Sequence, residues 1–131
     1  MLISKQMQGA ILPGDSTVEL RSFDVPTPGH GEVLLRTKST TICGSDTHII
    51  KGGVPDTPHG TVLGHEGVGV VEEVGASVRN AAVGDRVLAT CVTACGFCRF
   101  CTAQQYGQCL NGGWALGHFI DGVQAEYARI P

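Results

Sequence analysis

The sequence predicts an all-β or mostly β barrel with minor helix, and three observations lead there. Apolar and β-branched runs of strand length recur along the chain. Turn-formers separate them, with 19 Gly and 6 Pro among 131 residues. No βαβ unit interrupts the succession of strands, so a barrel is the expected architecture.

Taken in order, residues 7–12 (MQGAIL) and 17–25 (TVELRSFDV) read as two strands joined by a turn at Pro13-Gly14-Asp15. The Pro/Gly stretch 26–31 leads into 32–42 (EVLLRTKSTTI), whose β-branched residues favour a third strand. After Cys43-Gly44, residues 45–50 suit a short helix capped by Ser45 or Asp46. Residues 51–61 (KGGVPDTPHGT) are loop by composition. A strand over 68–74 ends at Gly75, and a Gly84-Asp85 turn precedes another over 86–92. Residues 94–113 carry most of the cysteines with little periodicity, and 125–130 (AEYARI) form a last strand.

Composition bounds the function. A domain of this size buries about two-thirds of the surface its unfolded chain exposes, enough for one core. Since only 5% of residues are aromatic, that core rests on Val, Ile, Leu and Ala. The net charge is −3 and no basic cluster exists to pair with phosphates, so neither nucleic acid nor a membrane surface is an expected partner. The N-terminus lacks a basic region followed by a long apolar run, and the apolar stretches are too short to span a bilayer. A cytoplasmic location is therefore expected, and the 6 Cys read as thiols before disulfides. No GxGxxG follows a strand; the glycines of 64–69 (GHEGVG) have the wrong spacing and precede a strand rather than a helix.

Cys95, Cys98, Cys101 and Cys109 form C-x2-C-x2-C-x7-C. Two C-x2-C steps let the backbone curl so that sulfurs face inward, Gly96 eases that curl, and the seven-residue return supplies the fourth thiolate. Structural zinc is the expected occupant. Such a closed site stabilises but has no position open for catalysis. An iron–sulfur cluster and two disulfides are the alternatives; Leu110 stands where bacterial ferredoxins place Pro after the fourth Cys.

A second constellation pairs Cys43-Gly44-Ser45-Asp46-Thr47-His48 with Gly64-His65-Glu66, Cys43 lying 22 residues before His65. Each piece alone is weak. Together with the cysteine cluster, and with GHEGVGVVEEVG, VGDRV and DGVQAEY in order along the chain, they resemble the N-terminal part of the zinc-dependent medium-chain alcohol dehydrogenase family. That resemblance implies a GroES-like, partly open β-barrel holding a catalytic and a structural zinc, in an enzyme that oxidises an alcohol to an aldehyde or ketone with NAD or NADP. By position, Cys43 and His65 match two catalytic-zinc ligands, and Glu66 matches the neighbouring carboxylate that can approach the metal. Asp46 matches the carboxylate that orients His65. Ser45 matches the hydroxyl that takes the alcohol proton, and His48 the outer imidazole that relays it to solvent. The plainer alternative makes Ser45 only a cap and His48 only a surface residue.

The resemblance also implies what lies elsewhere. The third protein ligand of the catalytic zinc and the nucleotide-binding domain fall beyond residue 131 in the family, so residues 1–131 are expected to be one GroES-like zinc-binding catalytic domain, inactive alone and exposing apolar surface that favours homo-oligomers. A competing function class is a non-enzymatic zinc-binding module, structural or redox-sensing, with a vestigial Cys43/His65 pair. Cys91 reads equally as pocket lining or small apolar filler. His30, His59 and His118 read as loop or surface, and Trp114 as packing or pocket wall.

Overall fold

The computed structural model describes residues 5–131. Strands β1 (Gln6–Ile11) and β2 (Glu19–Asp24) form an antiparallel hairpin. Strands β3 (Val33–Thr40), β4 (Gly67–Val74), β5 (Arg86–Ala89) and β8 (Tyr127–Ile130) make a four-stranded antiparallel sheet in the order β5-β4-β3-β8. Two-residue strands β6 (Val92–Thr93) and β7 (Gly113–Trp114) pair separately. Bridges from Gly9 to Ala125 and from Ile11 to Val62 tie the hairpin to the rest. The sheets stop short of a closed barrel, as the family resemblance implies.

Alternation places the core. Along β4, Gly67, Gly69 and Val71 face inward while Val68 and the acidic end face out. Strand β3 departs from strict alternation, because consecutive Leu34 and Leu35 are both buried. A register shift between them against β4 re-aims one side chain, as a β-bulge does. Leu35, Ala89, Leu116, Val123 and Ala128 pack into one cluster, and Leu12, Ile49 and Leu63 into a second beneath α1 (Gly44–Ile50).

Several expectations need correction. The predicted strand 86–92 breaks after Ala89, and Val92–Thr93 turns away to pair with β7. The cap of α1 is Cys43 rather than Ser45 or Asp46, with Cys43 extended at φ −89° and ψ 158°. His118 is buried rather than on the surface, its Nδ1 3.2 Å from the Trp114 carbonyl and its Nε2 3.1 Å from the Pro55 carbonyl. The last strand begins at Tyr127, and residues 94–113 contain the short helix α2 (Arg99–Thr102) and a 3-10 turn at Tyr106–Gln108.

Candidate metal centres and their setting

The helix α1 starts where it does because Asp46, at its third position, accepts the Cys43 backbone N–H at 2.9 Å, satisfying a donor that the first turn leaves free. Asp46 and Ile49 share the inward face, so burial of Ile49 over Leu12 and Leu63 draws Asp46 inside with it. His65 comes from the extended segment before β4. That segment is held from one side by residues 121–124: Asp121 accepts the Val62 N–H, Gly122 donates to the Val62 carbonyl, Val123 to that of Gly64 and Gln124 to that of Leu63. From the other side, Thr41 donates its N–H, and Thr40 its hydroxyl, to the Glu66 carbonyl. These bonds carry the residue before His65 and the residue after it, and so bring its ring to Cys43.

Ligand atoms of Cys43, His65 and Glu66 all lie within 4.8 Å of one another. Cys43 is half-buried, His65 buried and Glu66 exposed. The Ser45 hydroxyl sits between the two ligands, 3.2 Å from Cys43 Sγ and 3.0 Å from His65 Nε2. Its hydrogen bond, with the Ser45 backbone N–H and then His65, holds the Cys43 thiol below its ordinary range and so favours thiolate. On the far side of the ring, His65 Nδ1 lies 3.3 Å from Asp46 Oδ1. Both atoms are buried and neither makes a well-aligned bond to any described residue, so each has only the other to face. A proton on Nδ1, beside a carboxylate, leaves the Nε2 lone pair on the Cys43 side. This is the donor set of a borderline-soft cation, and the residues fit zinc.

Two residues that motif reading left undecided or unmentioned belong here. Trp114 meets the His65 ring edge-on at 6.2 Å between centroids, which makes it a wall of the site. The Thr41 hydroxyl donates to Glu66 Oε2 at 2.6 Å and fixes where that carboxylate points. His48, exposed on the last turn of α1, forms no ring hydrogen bond among the described residues.

The second centre is self-contained. Cys95, Cys98, Cys101 and Cys109 place their sulfurs within 4.8 Å of one another, and Cys95 lies 4.0 Å from Cys101. Four thiolates about 2.3 Å from one ion lie about 3.8 Å apart, so the lobe suits one tetrahedral ion, whereas a four-iron cluster would spread the sulfurs further. All six cysteines are free thiols, against the disulfide alternative. The Asn111 side chain, then the Phe97 N–H, lower the Cys95 thiol to about 6, and the Leu110 N–H lowers Cys98. Burial pushes Cys101 up to about 12.

Known proteins resemble this chain along nearly all of its length. The sequence model of the alcohol dehydrogenase GroES-like domain matches residues 29–131. The zinc-type alcohol dehydrogenase-like protein YphC of Escherichia coli K12 is 42% identical, over 94% of this chain and 37% of its own length. Zinc-dependent alcohol dehydrogenase 2 of Streptococcus pneumonia, solved in its apo form, is similar with a TM-score of 0.89 and 46% identity, over 95% of this chain and 36% of that one. A zinc-binding dehydrogenase of Sinorhizobium meliloti 1021, solved with NADP bound, follows with a TM-score of 0.84 and 32% identity, over 98% of this chain and 37% of that one. The chain thus spans well under half the length of these relatives. The domain match, the identities and the structural similarity agree, and the chain belongs to the zinc-dependent medium-chain alcohol dehydrogenase family through its GroES-like domain.

Proposed function

We propose that residues 1–131 are the zinc-binding catalytic domain of an alcohol dehydrogenase that oxidises an alcohol to an aldehyde or ketone with NAD or NADP. The observation that carries this reading is the convergence of Cys43, His65 and Glu66 within 4.8 Å, apart from a four-cysteine cluster. A structural staple alone has no need of the first set. Cys43 and His65 would hold the catalytic zinc with Glu66 at its margin, and Cys95, Cys98, Cys101 and Cys109 the structural one. When bound, the catalytic zinc supplies Lewis acidity that favours negative charge on the substrate oxygen.

The remaining work falls to the chain's own groups. Ser45, with its hydroxyl between both ligands, is placed to receive the alcohol proton. His48, exposed to solvent on the same helix, accepts it at the exit. Asp46 orients the His65 ring, and Trp114 keeps water from one side of it. Residues 1–131 cover 37% of the length of YphC and of the NADP-bound relative. In the family the nucleotide-binding domain and third protein ligand lie in the remainder, so on this reading these residues alone are expected not to turn over nicotinamide. The NADP-bound relative supports a nicotinamide cofactor. Six free thiols support a reducing, cytoplasmic setting, and among the described residues no helix is long and apolar enough to cross a membrane. Outward-facing Ile42, Val68 and Leu88 support association of copies in the complete enzyme.

A metal count tests the reading. The purified chain should carry about two zinc ions, and C43S about one, because the cysteine cluster is independent of Cys43. A count that C43S leaves unchanged overturns the proposal and leaves a zinc module held by the cluster alone.

A further inference from the structure

We infer that Gln124 is a positioning residue for the His65 site, acting through Asp46. The inference rests on the reading of Cys43 and His65 as metal ligands, and it assigns a role to the DGVQAEY motif that the reaction itself leaves unused.

Asp46 is 1% exposed, and its two carboxylate oxygens divide their partners. Oδ1 faces His65 Nδ1 at 3.3 Å, while Oδ2 accepts the Cys43 N–H at 2.9 Å and Gln124 Nε2 at 3.2 Å. Rotation of a carboxylate about its terminal bond is soft, so one donor on Oδ2 leaves its plane free to turn. Gln124 is the second donor, and it restricts that plane. The same Nε2 donates to the Thr41 carbonyl at 3.2 Å. An amide nitrogen has two hydrogens, and both partners are acceptors only, so the amide has one satisfactory orientation, with nitrogen toward Asp46.

The backbone makes this reach dependable. Gln124 donates its N–H to the Leu63 carbonyl at 2.9 Å and accepts from Ala10 at 2.8 Å, so it is anchored to the segment that carries His65. Its side chain crosses directly over Gly64, where an added Cβ would stand 2.5 Å from Gln124 Cγ. Gly64 lies at φ +96°, and its bare Cα admits the glutamine stem. One side chain therefore joins the strand end before Cys43, the carboxylate behind His65 and the segment leading to His65. Groups that orient a ligand through a hydrogen bond typically alter metal affinity 10–100-fold when removed.

The test uses cobalt(II) titration of the full chain, following the binding event that C43S abolishes. Q124M keeps the side-chain length without its donors, and is expected to weaken that event about tenfold while the cysteine cluster binds as before. In a D46N chain, Q124M should cause no further loss, since its effect passes through Asp46. The cobalt d–d spectrum at this site should also change in Q124M, which a loss of global stability alone would not produce. If Q124M does not fold, Q124L, likewise uncharged and without donors, carries the same comparisons. Unaltered affinity in the variant, or a loss that adds in full to that of D46N, overturns the proposal. Absence in the unaltered chain of any event removable by C43S overturns the metal reading as well, and is recognised without a Gln124 variant.

Discussion

At the residue scale, the site depends on places where a side chain is missing. The residues flanking His65 meet residues 121–124 so closely that a Cβ on Gly122 would lie 1.9 Å from the Gly64 carbonyl oxygen and 2.5 Å from that of Leu63. Backbone atoms cannot turn aside as a flexible side chain can. We expect Gly122→Ala to cost about 3 kcal/mol in urea unfolding, and to weaken metal binding at Cys43 and His65 before that at the cysteine cluster. A variant as stable as the parent would show that the two segments separate freely. Glycine frequency in this chain predicts turns, and the turns are there. It does not reveal which glycines serve close approach, because that depends on a neighbour 58 positions away.

At the element scale, the lobe over residues 94–113 has little regular structure to hold it. Its two-residue strand pair, one turn of helix and 3-10 turn surround a buried trio, Cys98, Cys101 and Cys109. With zinc bound as proposed, metal ligation would take the place of a hydrophobic core, and pH should control it. Zinc must displace whatever protons the apo thiols hold. Cys101, pushed up to about 12 by burial, is protonated across the neutral range and costs a proton there. Cys95, lowered to about 6 chiefly by Asn111, is a thiolate at neutral pH and takes a proton only below that value. Zinc affinity of the lobe should therefore fall as pH falls, and fall more steeply below about 6, where Cys95 adds a further proton to be displaced. Chelator competition across that range measures the slope; one that does not steepen there contradicts the assigned protonation of Cys95.

At the scale of the whole molecule, one face of the sheet exposes an apolar pair beside its charged residues. Val68 and Leu88 are direct partners across β4 and β5, both pointing outward, and Leu88 is 68% exposed. Ile42, at 80%, is more exposed still. Paired outward hydrophobes on a central sheet are costly in water unless another surface covers them. Light scattering of the chain should show association that rises with concentration, and Leu88→Lys should shift it toward monomer without lowering its melting temperature by more than a few degrees. Equal association in that variant would place the contact elsewhere.

Much of this protein was legible before any coordinates. Alternating apolar runs and Gly/Pro turns specify a mostly β chain, because strand period and turn chemistry are local properties. The C-x2-C-x2-C-x7-C spacing specifies a single-ion site for the same reason: all four ligands fall within 15 residues of one loop. The site at Cys43 and His65 differs. Cys43 and His65 carry motifs, yet their meeting is made by hydrogen bonds from residues 40, 41 and 121–124, none of which advertises a ligand. Burial of His118 between two carbonyls, the Trp114 wall and the reach of Gln124 to Asp46 likewise join positions far apart in the chain. Spacing encodes what the backbone can close by itself, and only packing decides which distant segments share a wall.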